Sequence, residues 1–371
     1  MRKIAILGAS YLQKPLVDKA KFLGIETHCF AWDNDEAICK HHADFFYPIS
    51  VLDKEVILEQ CIEIGIDGIT TIATDICVPT IAFVAEKMCL ISNSYHSSLL
   101  STNKGAMRRA FEKHHVHSPK SITVTDYDTP NWQTFQFPLI VKPTDRSGSR
   151  GVTKVHDHSD LKIAIERALD ESLEKKVVVE EFIEGEEVSV ESISWNGVHH
   201  ILIITDKVTT GEPYFVELEH HQPSLLSEQI QNKIKSETIK ALNSLEIEFG
   251  ASHSEFKINK NGVVFAIEVG ARMGGDFIGS HLVELSTGYD FLKGVIGVAM
   301  NQFETPVFSS SLHSGVYFLC EETKEIKSFF VSANSFDVEK KILNDSLQKV
   351  TNSNNRSGFL IYQANNKIEL I

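Results

Sequence analysis

Apolar and polar positions along the chain fall into three regimes. The first begins with Lys3 to Leu7 (KIAIL), a short apolar run that ends at Gly8, and continues with a helical spacing of apolar positions to about Phe22. The run IETHCFAW, a helical segment near residues 53 to 64 and the stretch GIDGITTIAT extend the same alternation. Strand and helix units of this size predict a doubly wound parallel sheet. Its first turn, Gly8-Ala9-Ser10-Tyr11-Leu12-Gln13, holds one of the three glycines of a dinucleotide fingerprint. The later glycines are the ones that let the backbone approach a pyrophosphate, so a scaffold role suits this unit better than a nicotinamide site.

From about Ser118 the regime changes to short strands: SITVTD, FPLIVKP, GVTKVHD and VVVEEFI, with one helix from Ser159 to about Leu173. This is a small α+β unit, with the loop Thr144 to Arg150 between two of its strands. The third regime holds the strand-like EEVSVESISW and HHILIITDKV, a long helix near Ser227 to Leu245, and the pair ASHSEFKIN and GVVFAIEVGAR. After residue 305 short strands return with one helix, and no fixed-period repeat runs through the chain.

Asn259-Lys260-Asn261-Gly262 separates the last pair and reads as a hairpin loop. With those four residues as the loop, His253 faces Glu268 and Glu255 faces Ala266. One face then carries Phe256, Ile258, Val263, Phe265 and Ile267, and the other carries His253, Glu255 and Glu268. Carboxylates this close on one sheet face are placed to share a divalent cation. Mg²⁺, a hard ion that takes one or two carboxylates plus phosphate oxygens, suits such a pair. A solvated face with incidental charges is the alternative, and a bulge would change the register.

Charge sharpens this picture. The chain has 371 residues with 36 basic and 50 acidic side chains, a formal net charge of −14. So acidic a balance argues against sequence-independent nucleic-acid binding, and any anionic ligand needs a locally basic pocket. Arg272 lies four residues beyond Glu268 in a glycine-rich turn, placed to reach a phosphate that the metal bridges. Lys142 closes the apolar strand Leu139-Ile140-Val141, where a buried ammonium is costly unless an anion meets it. The loop with Ser147, Gly148, Ser149 and Gly151 offers N–H groups to phosphates, although such turns are also common surface loops. In VVVEEFIEGEEVSVE, residues 177 to 191, the backbone and Glu180 suit a base amino group and Glu187 suits ribose hydroxyls. The plainer reading of each glutamate is a solvated carboxylate.

The six cysteines form no C-x-x-C pair and read as buried small hydrophobes of a reducing compartment. The start, Met1-Arg2-Lys3 before IAILGAS, lacks the apolar length and cleavage site of a signal peptide. No segment approaches the roughly 20 apolar residues of a membrane span. The expectation is a cytoplasmic protein with neither nucleic-acid nor membrane partners.

Lys104 in STNKGAMRRAF, Lys142 in LIVKP, the SGSRG loop, VVVEEFIEGEE, HSEFK and IEVGAR follow one another in the order and spacing of the ATP-grasp superfamily. The resemblance covers nearly the whole chain. The N-terminal part resembles the preATP-grasp domain of biotin carboxylase, carbamoyl phosphate synthetase and the purine-pathway carboxylase. The pattern H-x-E followed by E-x-G-A-R-x-G-G-D resembles the bacterial amino-acid ligase branch most.

The resemblance implies an α/β and α+β architecture: a parallel-sheet preATP-grasp domain over residues 1–95, then a two-lobed ATP-grasp domain over 96–305 with its lid lobe at about 118–181. Residues 306–371 would form a C-terminal subdomain packed on that lobe. By the same resemblance Lys104 and Lys142 bind ATP phosphates under the loop of Ser147, Gly148, Ser149 and Gly151. Glu180, Phe182 and Ile183 meet adenine, and Glu187 meets ribose. Glu255 and Glu268 hold Mg²⁺, for which Mn²⁺ can substitute, Arg272 stabilises the transferring phosphoryl group, and His253 lines the acceptor pocket. Glu217 and His220, in the segment Tyr214 to Pro223, are further substrate candidates against a surface-loop alternative. One departure stands out: the family commonly has E-x-N-x-R with the asparagine as a further metal ligand, and Gly270 occupies that place.

The implied reaction activates a small carboxylate, an amino acid by expectation, as an acyl phosphate and joins it to an amine, with ADP and phosphate released. Two rivals remain: a carboxylase-type enzyme that makes carboxyphosphate from bicarbonate, and a non-catalytic nucleotide-binding subunit. Monomer and homodimer both stay open.

Overall fold

A computed structural model describes residues 1–128, 131–146 and 150–370. The first apolar run is β1 (Lys3–Leu7), followed by α1 (Lys14–Phe22), β2 (Glu26–Phe30), β3 (Phe45–Tyr47), α2 (Lys54–Ile64), β4 (Gly68–Thr70) and α3 (Val78–Met88). The four strands pair in parallel in the order β3-β2-β1-β4. Gln13 fills the turn after β1. Its Oε1 accepts from the Ser10 N–H at 3.0 Å and its Nε2 donates to the Ile72 carbonyl at 2.7 Å. A side chain therefore occupies the backbone donor that a phosphate at this turn would need.

After α4 (Tyr95–Thr102) and α5 (Lys104–Lys113) the chain builds a small antiparallel sheet from β5 (Ser121–Val124), β6 (Leu139–Pro143), β7 (Thr153–Val155) and β8 (Val177–Glu181), in the order β5-β8-β6-β7. Helix α6 (His158–Glu171) covers one face, where Leu161, Ile165 and Ala168 join Leu139, Val141 and Val179 in one core. The other face looks toward the large sheet.

That sheet has eight strands: β9 (Glu186–Trp195), β10 (Val198–Thr209), β11 (Glu217–Gln222), β12 (Gly250–Ile258), β13 (Val264–Gly270), β14 (His313–Leu319), β15 (Asp337–Ile342) and β16 (Gly358–Ala364). Their order is β13-β12-β9-β10-β11-β14-β16-β15. Helix α7 (Glu228–Ser244) backs β13, while α8 (Val283–Thr287) and α9 (Phe291–Ala299) lead to the tail. The residues after 306, for which a subdomain packed on the lobe is the expectation, contribute strands to this sheet: β14 pairs with β11, Glu219 opposite Tyr317. Without them β11 would present a row of unpaired backbone groups as an open edge. Helix α9 is apolar on nearly every side and is buried accordingly, with Val295 and Ile296 in the same core as Ile4 and Ile6 of β1 and Ile193 of β9.

Gly185, between β8 and β9, carries the chain from the small sheet to the large one. It has φ +153, and a Cβ there would stand 1.9 Å from the Ile258 carbonyl oxygen. Both the strained backbone and the clash with main chain oppose a side chain, so Gly185→Ala is expected to cost about 3 kcal/mol of stability. A fall in the urea midpoint checks this; an unchanged midpoint would show that the turn relaxes freely.

Candidate active site

The hairpin of β12 and β13 sets the floor of the site, with a register that differs from the expected one. Asn259 N–H donates to the Val263 carbonyl at 3.0 Å, and Gly262 has φ +70. The loop is thus the three residues Lys260 to Gly262 closed by a left-handed glycine, a common hairpin form. Phe256 then lies opposite Ala266 and Ile258 opposite Val264. A bulge between Glu255 and Phe256 leaves Ile267 unopposed, so Glu255 faces Glu268 and His253 faces Gly270. The buried face consists of Phe256, Ile258, Val264, Ala266 and Val269. Val263, Phe265 and Ile267 lie outside that core, Phe265 stacking on His117 at 4.2 Å. The bulge, which would have separated the carboxylates in the expected register, sets them directly opposite one another in the actual one.

Across the sheet the polar side chains form rows. Lys257, Glu187, Lys207 and His220 are consecutive cross-strand partners on β12, β9, β10 and β11. Two residues along, Glu268, Glu255 and Ser189 form the next row, and Gly270, His253 and Glu191 the third. Lys207 ties the rows together. Its Nζ, nearly fully buried, lies 2.9 Å from Glu187, 2.7 Å from Glu255 and 3.6 Å from Glu217. Burial lowers its proton affinity, but Glu255, Glu187 and Glu217 outweigh that and raise it well above the ordinary lysine value. Burial likewise works against ionised Glu255, yet Lys207 and His253 hold its carboxyl well below the usual range. His253 is opposed by its own burial and supported by an ion pair with Glu191, which leaves its pKa at about 9, an imidazolium at neutral pH.

Lys104, Lys142, Glu180, Phe182, Ile183, Glu187, Glu217, His220, His253, Glu255, Glu268 and Arg272 all line one cavity of about 370 Å³ between the two sheets. Lys104 Nζ donates to Glu268 at 2.6 Å and to the Arg146 carbonyl at 2.8 Å. Gly151 is not part of that lining, and a Cβ there would meet the side chains of Pro143 at 2.9 Å and Glu171 at 3.1 Å. Ser147, Gly148 and Ser149 lie outside the described residues. Phe182 has Lys154 Nζ 3.7 Å and Lys257 Nζ 4.9 Å from its ring centroid. Glu180, expected at adenine, lies between two cations: Oε1 lies 2.5 Å from Lys142 Nζ, and Oε2 accepts from Arg108 Nε at 3.0 Å and Nη2 at 2.9 Å. A carboxylate held by two cations and only 3 % exposed anchors Lys142. Burial lowers the proton affinity of Lys142 in spite of that partner.

Residues 135–280 match the family model of the ATP-grasp domain. The chain carries an ATP-grasp domain. Alanine–anticapsin ligase of Bacillus subtilis (strain 168) is 28% identical over 303 residues, an alignment that takes in 72% of this chain and 64% of the relative. The chain thus spans less than two thirds of that relative's length. Among solved structures, an L-amino acid ligase from Bacillus licheniformis superposes with a TM-score of 0.82 at 21% identity, over 99% of this chain and 94% of that one. N5-carboxyaminoimidazole synthetase from Staphylococcus aureus, complexed with ADP, does so with a TM-score of 0.81 at 16% identity, over 98% and 94%.

Several residues of the ATP-grasp cleft were not singled out by sequence. Asp75 from the turn between β4 and α3 pairs with Arg272, Arg108 from α5 pairs with Glu180, and Arg356 from the tail pairs with Asp276 and Glu217. Each reaches the cleft from a distant segment, and Arg108, although it lies in the STNKGAMRRAF stretch, had no role read from that stretch. Lys207 did offer a weak signal, an ammonium on a strand three residues beyond the apolar run Ile201 to Ile204. Among the described residues no group of three or more His, Cys, Asp or Glu side chains is arranged to hold a metal ion. Two opposed carboxylates, with Lys104 beside Glu268, nevertheless have the donor chemistry of a Mg²⁺ site, since that ion takes one or two carboxylates and fills its other positions with water and phosphate oxygens.

Proposed function

We propose that this chain is an ATP-dependent carboxylate–amine ligase acting on a small acid, an amino acid by preference. The observation that carries the reading is the sheet floor: opposed Glu255 and Glu268, with Lys104, Lys142 and Arg272 toward one side and Glu217 and His220 toward the other. Matching ATP-grasp residues and the named ligase relatives support it. In this reading Lys104 and Lys142 meet the phosphates, Phe182 and Ile183 face adenine, Glu187 receives the ribose and Arg272 the transferring phosphoryl group. Glu255 and Glu268 would hold Mg²⁺, which supplies positive charge to the phosphates when bound. The boundaries near residues 95 and 305, with the small sheet as lid, belong to the same proposal.

The substrate carboxylate oxygen attacks the γ-phosphorus and ADP leaves. The amine nitrogen then attacks the acyl carbon, phosphate departs and the nitrogen loses a proton. Charge builds on the phosphoryl oxygens, so fixed cations in a water-poor cleft are the main contribution the protein makes. His220 suits the acceptor end, because burial holds it well below the ordinary histidine value and both ring nitrogens are buried without a hydrogen-bond partner. It is therefore a neutral imidazole with its hydrogen-bonding capacity unused.

ADP release measured over pools of acids and amines, with mass detection of the adduct, tests the proposal. Release that requires one acid and one amine together is the expected result, and its absence across an amino-acid panel would sink it. The carboxylase-type alternative draws on the fold shared with the carboxyaminoimidazole synthetase. Bicarbonate-dependent ADP release without an amino acid would put that reading in its place. No helix among the described residues is long and apolar enough to cross a membrane.

A further inference from the structure

The side chain of Arg272 is held from outside its own sheet. Asp75 lies in the turn between β4 and α3, and its Oδ1 and Oδ2 accept from Arg272 Nε and Nη2, both at 2.9 Å. The remaining edge of the guanidinium, Nη1, has the Met273 carbonyl at 3.4 Å, a long contact that leaves that edge for a ligand. Backbone pairing fixes the junction: Ile72 bridges Met273, and Ala73 N–H donates to the Met273 carbonyl at 3.0 Å. Asp75 is thereby carried on a segment stitched to the end of β13.

Gly270 sits beneath this pair. A Cβ at 270 would stand 2.6 Å from Asp75 Oδ1 and 3.1 and 3.2 Å from Arg272 Nε and Cζ. Only side-chain ends are in the way, so any substituent there would displace the pair and not the main chain. Without Asp75, the next carboxylates acting on Arg272 are Glu191 and Glu255. Either would draw the guanidinium down onto the sheet floor, and a lone charged fork samples several rotamers where a bidentate one does not.

We propose that Asp75 is the positioning residue for Arg272, and that Gly270 is its steric counterpart: the missing side chain leaves the volume in which Asp75 grips the guanidinium and turns Nη1 toward the terminal phosphate of the nucleotide. The N-terminal sheet then takes part in phosphate recognition and is more than a scaffold. This rests on the ligase reading for the identity of the anion. It also gives the departure from the family's asparagine a structural cause that is independent of metal count.

The test is calorimetric binding of ATP and of ADP, each with Mg²⁺, to the full chain as wild type, Asp75→Ala, Gly270→Ala and the double variant. Each single change is expected to weaken ATP about tenfold, the scale of one charge-assisted contact, while ADP stays within about twofold. The double variant is expected to be no weaker than either single one, since both disturb the same contact. Asp75→Asn, which keeps the shape and loses the charge, serves if Asp75→Ala does not fold. An unchanged ratio of ATP to ADP affinity in the Asp75 variant, or losses that multiply in the double variant, would overturn the inference while leaving the ligase reading intact. A wild-type chain that binds neither nucleotide would overturn both.

Discussion

Glu255→Gln and Glu268→Gln are each expected to lower acid- and amine-dependent ADP release by roughly 10³-fold, about 4 kcal/mol of transition-state stabilisation, with the fold retained. The two carboxylates face each other across β12 and β13, and their side chains are 25 % and 28 % exposed. An amide of the same shape keeps the packing and one acceptor oxygen but removes the anionic charge a hard cation requires. Stability should change little, because neither lysine is orphaned. Lys207 retains Glu187 and Glu217 when Glu255 is neutral, and Lys104 retains the Arg146 carbonyl when Glu268 is neutral. Mn²⁺ titration in the presence of ADP should show weakened metal binding in both variants. Activity within tenfold of wild type in either one would remove that residue from the metal pair. Loss of activity with unaltered Mn²⁺ binding would move the role from metal to substrate.

How far sequence reasoning reached depended on whether an interaction was local. The change from parallel βα units to short antiparallel strands near Ser118 shows directly in the spacing of apolar positions, and the elements lie close to where that spacing places them. The hairpin shows where local reading stops. Glu255 and Glu268 were identifiable as partners, but the register depended on whether Gly262 closes a three-residue loop and on a bulge at Ile267. Ile267 follows Ala266, and two adjacent apolar residues do not reveal which of them is left unopposed. The tail is harder still. Nothing in the residues around Tyr317 specifies pairing with Glu219, because the need it meets is the open edge of β11 nearly 100 positions earlier.

The same limit separates the ions. Lys104, Lys142, Glu187 and Arg272 sit in motifs and were read from them. Their counter-ions Glu268, Glu180, Lys207 and Asp75 were either given other roles or missed, since salt-bridge partners are chosen by the fold and not by neighbours in sequence. Glu180 is the instructive case. The resemblance places it at adenine, and its two cationic neighbours Lys142 and Arg108, a pairing which no local pattern announces, come from other segments of the fold. Net acidity therefore describes the surface poorly, as several of the carboxylates are interior partners of buried cations.

Lys207→Met is expected to lower stability by about 2 to 3 kcal/mol, seen as a lower urea midpoint with the cleft residues otherwise intact. Two terms oppose each other. Methionine fills the volume of the lysine stem and removes the desolvation cost of a buried ammonium, which favours the variant. Against that, three carboxylates lose their shared cation. Because the proton affinity of Lys207 is raised and not lowered by its surroundings, attraction outweighs desolvation in the native state, and the balance falls against the variant. The loss stays below the roughly 3 to 5 kcal/mol of a fully orphaned buried charge because each glutamate keeps a second cation. These are Lys257 at 3.6 Å for Glu187, Arg356 at 3.3 Å for Glu217 and His253 at 3.4 Å for Glu255. Lys207→Arg should recover part of the loss, since its charge is kept while its larger fork must fit among three oxygens placed for a point charge. A Met variant as stable as wild type would mean that the secondary cations suffice, and that Lys207 is held by the carboxylates without holding them in return.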